Sequence, residues 1–105
     1  MSELVQYYRV NLYAVPGKHE GKIVLHCNNA HTLNLIFRRG DWHLSPNTFD
    51  VGTKTGTAYA PFAMYPHYLD LLRNEGPCRV SFILDTAPPT FRLQSSLEVP
   101  GEGEL

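Results

Sequence analysis

Residues 24–35 read "VLHCNNAHTLNL", and the reading of this stretch decides the fold. Ile23, Leu25 and Cys27 share one parity before Asn28-Asn29-Ala30, and Leu33, Leu35 and Phe37 share one after it. Apolar residues at every second position mark strands with one buried face. The two apolar faces coincide only if Leu25 lies opposite Leu33 and Ile23 opposite Leu35. A loop made of Asn28, Asn29 and Ala30 satisfies this, and Asn suits the left-handed backbone such loops use. A loop shorter by one residue sets Leu25 against Thr32 and misaligns every apolar pair.

The same pairing bears on the densest reactive cluster in the chain. Cys27 faces His31 across the hairpin, whereas His26 points to the other side of the sheet. The two imidazoles therefore cannot ligate one ion, and no spaced set of partner ligands occurs elsewhere, so neither a metal nor any other cofactor is expected. Cys27 with His31 as thiol and base is the one catalytic candidate. Its plainer alternative is a core cysteine beside a histidine that closes the hairpin, since the sequence supplies no third, orienting group.

Working outward, residues 4–15 alternate as a half-buried strand. Tyr8, Val10, Leu12 and Ala14 fall on one face, and Tyr7, Arg9, Asn11 and Tyr13 on the other. Pro16-Gly17 suits a type II turn leading to strands near 22–27 and 31–38. Residues 48–60, "TFDVGTKTGTAYA", read either as one irregular strand or as two short strands closing on "GTKTG". A helix is predicted over 65–75, started by Pro66 and stopped by Gly76-Pro77, with Tyr65, Tyr68, Leu69 and Leu72 as its apolar stripe. Strands at 78–85 and 90–99 follow. Strands in close succession imply antiparallel pairing. The expected fold is α+β: a curved antiparallel sheet or half-open barrel of about six strands with one helix packed against it, formed by residues 1–99, with 100–105 a mobile acidic tail.

With 105 residues, 43 % of them hydrophobic, the chain is large enough for one core without disulfides or metal. No apolar run reaches the roughly 20 residues of a membrane helix. Glu3 and the alternation behind it do not fit a signal peptide, so the expected compartment is cytoplasmic, with Cys27 and Cys78 as free thiols. A net charge of −1 argues against a protein built mainly to grip phosphate backbones, and nucleic acid is not the expected partner. The charge is uneven, however: residues 1–60 carry six Lys/Arg against four Asp/Glu, and residues 61–105 carry three against six.

Three further features invite a functional reading. "GTKTGT" (52–57) looks like a phosphate cradle but lacks the spacing of a P-loop and is better explained as a Thr-rich bend. In "RRGDWH" (38–43), Arg38 and Arg39 stand beside Trp42 and His43, and arginine near an aromatic can hold an anionic or planar group. The alternative is a solvated strand end with Trp42 lidding the barrel. Tyr7, Arg9 and Tyr13 offer a rigid, amphipathic contact surface, unless a second layer covers it. His67 and Asp70 on the helix form only part of a catalytic set. The expected function is a small non-catalytic module that binds a protein partner, a second copy of itself or a small anionic ligand. The alternative is a small hydrolase or isomerase using the Cys/His pair.

Overall fold

A computed structural model of the chain describes residues 1–12, 21–38 and 46–95. The central hairpin joins β2 (Gly21–Cys27) to β3 (Thr32–Arg38) in the expected register, with Leu25 opposite Leu33 and Ile23 opposite Leu35. The loop is a single 3-10 turn, Asn28–Ala30, in which Asn29 and also Ala30 take positive φ, 59° and 63°. Inward residues of both strands form the core: Ile23, Leu25, Leu33, Leu35 and Phe37 are all 1 % exposed or less.

The first strand, β1 (Ser2–Leu12), pairs antiparallel with the other side of β2. Its register shifts between Val5 and Tyr7, so that Val5 faces Cys27 and Tyr7 faces His26. The extra residue, Gln6, is a β-bulge, and a bulge exchanges which parity faces inward. Val5 packs on the core before it; Tyr8 and Val10 do so after it. Tyr7, Arg9 and Asn11 are thereby sent outward and are exposed.

Residues 48–60 form two strands, β4 (Thr48–Asp50) and β5 (Thr55–Pro61), closing on a turn. Here the architecture departs from a purely antiparallel expectation. β5 pairs parallel to β3, and β4 lies outside it, giving a mixed sheet of seven strands rather than about six. Nine residues, 39–47, separate β3 from β4 in the sequence. β5 wins the inner place through its small inward residues, Gly56, Ala58 and Ala60, all buried.

The last two strands, β6 (Cys78–Ile83) and β7 (Thr90–Ser95), extend the sheet beyond β1 in the order β4-β5-β3-β2-β1-β6-β7. The sheet then curls. Phe49 on β4 lies 5.3 Å, ring to ring, from Phe82 on β6, which lies 5.5 Å from Phe91 on β7. Asn47 helps hold the curl, donating to the Pro89 carbonyl (3.1 Å) while accepting from the Tyr59 amide (3.0 Å). The result is a half-barrel.

One helix, α1 (Tyr65–Asn74), packs against the core. Tyr65, Tyr68, Leu71 and Leu72 supply the contact, Leu71 taking the part the spacing gave to Leu69. Both sets satisfy helical spacing, and contact with the sheet selects between them. At its C-terminal end the Leu71 carbonyl accepts from the Glu75 amide (3.0 Å) and the Cys78 thiol (3.2 Å). The parts of the predicted strands at 13–15 and 96–99, and the tail 100–105, lie outside the described residues.

Candidate functional site: the convex face of the sheet

Ladder register sets out the outer face residue by residue. One row across the strands runs Tyr7, His26, Thr32, Thr55. The next runs Arg9, Val24, Asn34, Thr57, and the third Asn11, Lys22, Ile36, Tyr59. Arg38, paired with Pro61, stands one step further on. Arg9, Lys22 and Arg38 thus occupy a diagonal, each one strand and two residues from the last. Strand spacing of about 4.8 Å and a rise of about 3.3 Å per residue put successive positions about 8 Å apart.

Aromatic rings lie along one side of that diagonal, near its two ends. Tyr7 is 58 % exposed, and its ring stacks on His26 with centroids 4.5 Å apart and planes 17° from parallel. Near the other end of the diagonal the Arg38 guanidinium lies over the Tyr59 ring, 4.7 Å from its centroid. Asp50, at the β4 rim opposite Thr55, is the only acidic residue on this face among the described residues. Its carboxylate accepts from the Gly52 amide (2.9 Å) and the Thr53 amide (3.3 Å), which ties it into the turn.

This face unites Tyr7, Arg9 and Arg38, which the sequence offered as parts of two separate motifs. Tyr13, Arg39, Trp42 and His43 lie outside the described residues. Lys22 and His26 belong to the face but were not singled out for it. The alternation that turns Leu25 inward also turns both outward, yet only the β1–β2 register shows that they adjoin Tyr7 and Arg9.

Cys27 and His31 face each other as the hairpin register requires, with the Cys27 amide donating to the His31 carbonyl (2.9 Å). The fold adds a third polar group that the sequence did not place there. Glu3 Oε1 lies 3.9 Å from His31 Nδ1, and both carboxylate oxygens accept from Asn29 Nδ2, at 3.0 and 3.1 Å. Geometry and charge nonetheless work against a thiolate. The Cys27 thiol is 4 % exposed, points to the Leu25 carbonyl (3.9 Å) and has its pKa pushed up to about 11, first by burial and then by the Glu3 carboxylate. His31 Nδ1 lies 3.3 Å from the Asn28 carbonyl oxygen. A nucleophilic cysteine needs the opposite electrostatics.

The rise from 9.0 to about 11 lowers the thiolate share about 100-fold at neutral pH, tenfold per unit. Iodoacetamide is therefore expected to label Cys27 slowly in the folded protein and rapidly after addition of urea. Mass spectrometry of the cysteine peptides reads both rates, and equal rates would refute the burial argument.

"GTKTGT" folds as a turn and the start of β5, with Lys54 at φ 56° and its Nζ donating to the Asn29 carbonyl (3.2 Å). The Asp50 carboxylate already occupies the turn amides that an anion would need. A cleft of about 450 Å³ opens where β1 parts from β6, lined by Val5, Gln6, Tyr7, Tyr8, Leu72 and Cys78 among others. Cys78 is the nucleophile nearest it, and burial, with the Glu75 carboxylate second, raises its pKa. Among the described residues no three His, Cys, Asp or Glu side chains gather closely enough to hold a metal ion. No helix among them is long and apolar enough to cross a membrane. No family model, curated protein or solved structure matches this chain.

Proposed function

We propose that this chain is a small, non-catalytic binding module that presents the convex face of its sheet to an anionic partner. The observation that carries this reading is the diagonal of Arg9, Lys22 and Arg38 on adjacent strands, bordered by the exposed ring of Tyr7. Cations gathered on one face of a chain whose net charge is −1 favour an oppositely charged surface. Pairing this face with the same face of a second copy sets like charges against one another, which argues for a foreign partner over a homodimer. The unbridged Cys27 and Cys78 support a cytoplasmic setting.

An amide NMR titration with polyglutamate tests the reading, since this polymer supplies negative charge and little else. Shift changes are expected on β1, β2 and β3 around Arg9, Lys22 and Arg38, and they should fade as salt is added. An unperturbed spectrum, or changes confined to the cleft beside Tyr8 and Leu72, would count against it.

A further inference from the structure

We infer that the anionic partner of the convex face is a single-stranded nucleic acid, its phosphates following the Arg9–Lys22–Arg38 diagonal and a base stacking on the Tyr7 ring. The inference rests on the reading of this face as an anion-binding surface and adds the chemistry of what binds there.

Charge complementarity selects an anion, and the spacing and the aromatic groups select among anions. Successive cation positions lie about 8 Å apart. An extended single strand can set adjacent phosphates at about that step and leave its bases free of one another. Splayed bases need flat partners. Tyr7 offers one that is 58 % exposed and held in place from behind by His26 at 4.5 Å. A ring already stacked and fixed in orientation loses little freedom when a base covers its outer face. Tyr59 beneath Arg38 presents the same combination of ring and cation near the other end of the diagonal. Thr32, Thr55 and Thr57 add hydroxyls to the face and Asn11 and Asn34 add amides, beside the apolar Val24 and Ile36, and such polar groups hydrogen-bond phosphates and sugars without reading sequence. An acidic peptide would use the three cations and could pack on the ring, but a base also gains by stacking on it face to face.

A duplex is a poorer fit. The face bulges outward, whereas the grooves of a double helix admit a helix or a narrow ribbon. The surface across four strands spans roughly 14 Å, room for only a few nucleotides, so modest affinity is expected, with a Kd of about 10–100 μM at low salt.

Fluorescence anisotropy of the full chain with short labelled oligouridylate and oligothymidylate provides the test, with unlabelled polyglutamate as competitor. Both oligonucleotides are expected to bind, with log K falling against log salt at a slope of about −2, from three contacts at about 0.7 each. Replacing both Arg9 and Lys22 by alanine should reduce that slope by about 1.4. Tyr7→Ala should weaken binding about fivefold or more while leaving the slope unchanged, and Tyr7→Phe should restore it. Because Tyr7 and Arg9 are exposed, these variants are expected to keep the circular dichroism spectrum of the parent.

The inference is overturned, with the anion-binding reading left standing, if polyglutamate binds as tightly per charge as the oligonucleotides, or if Tyr7→Ala binds like the parent. A duplex that binds more tightly than either single strand overturns it too. If neither polyglutamate nor any oligonucleotide binds at low salt, both readings fall together.

Discussion

Phe37→Ala is expected to destabilise the protein by about 3–5 kcal/mol, the range for removing a fully buried aromatic ring. Phe37 ends the inward row of β3 and is 0 % exposed. Its ring meets Phe62 at 6.4 Å, Tyr65 at 5.2 Å and Tyr68 at 5.7 Å, all in edge-to-face geometry, so it anchors the start of α1 on the sheet. That helix has ten residues, none of them fully buried. Isolated helices below about 12–15 residues are marginal in water, so α1 depends on this contact for its existence. Domains of this size hold only about 5–15 kcal/mol in total, so the loss removes a large share of it. Urea unfolding followed by far-ultraviolet circular dichroism should show the lowered midpoint, while Phe37→Leu should cost about 1 kcal/mol. An alanine variant within 1 kcal/mol of the parent would mean that α1 is held elsewhere.

The part of the fold that was legible in the sequence is the part where alternation is unbroken and both faces are unambiguous. Residues 23–37 fixed their own register because a slip of one residue exposes Leu25 and Leu33 together. The bulge at Gln6 left no such mark. Val5, Tyr8 and Val10 are all apolar, so the change of parity between them reads as ordinary variation in a half-buried strand. β5 was harder still. Its inward stripe is Gly56, Ala58 and Ala60, too small to register as a hydrophobic pattern, and the larger Thr55, Thr57 and Tyr59 face outward. That β5 pairs parallel with β3 while β4 takes the edge is announced by no local pattern. The candidate site shows the same limit. Arg9, Lys22 and Arg38 are far apart in the chain and form no basic run, so the sequence shows only a net charge of −1, which weighs against nucleic acid. Topology supplies the density that the linear sequence lacks.

Gly56→Val is expected to cost more than the roughly 1–3 kcal/mol typical of overpacking, and Gly56→Ala to fall within that range. A Cβ at position 56 would meet Phe82 Cε2 at 2.7 Å, Leu33 Cδ2 at 2.8 Å and Phe49 Cδ2 at 2.9 Å. The constraint is space, not backbone conformation, and it comes from three elements at once: β3 beside it, the β4 edge and β6 across the half-barrel. Two of these atoms belong to the Phe49–Phe82 contact that joins the two ends of the curl, so neither ring can retreat without loosening the other. Phe82 is further confined by Phe91, and its backbone is tied to Met1 by an amide donating to the Met1 carbonyl (2.9 Å). Relief should come only from shortening one of these side chains. Gly56→Ala combined with Phe82→Leu is therefore expected to be more stable than the sum of the single effects predicts, with a coupling of about 0.5–3 kcal/mol. Denaturant midpoints for the two single variants and the double variant measure that coupling. Strict additivity would show that the β5 stripe and the Phe82 ring do not compete for the same space, and the tight closure of the curl would lose its physical basis.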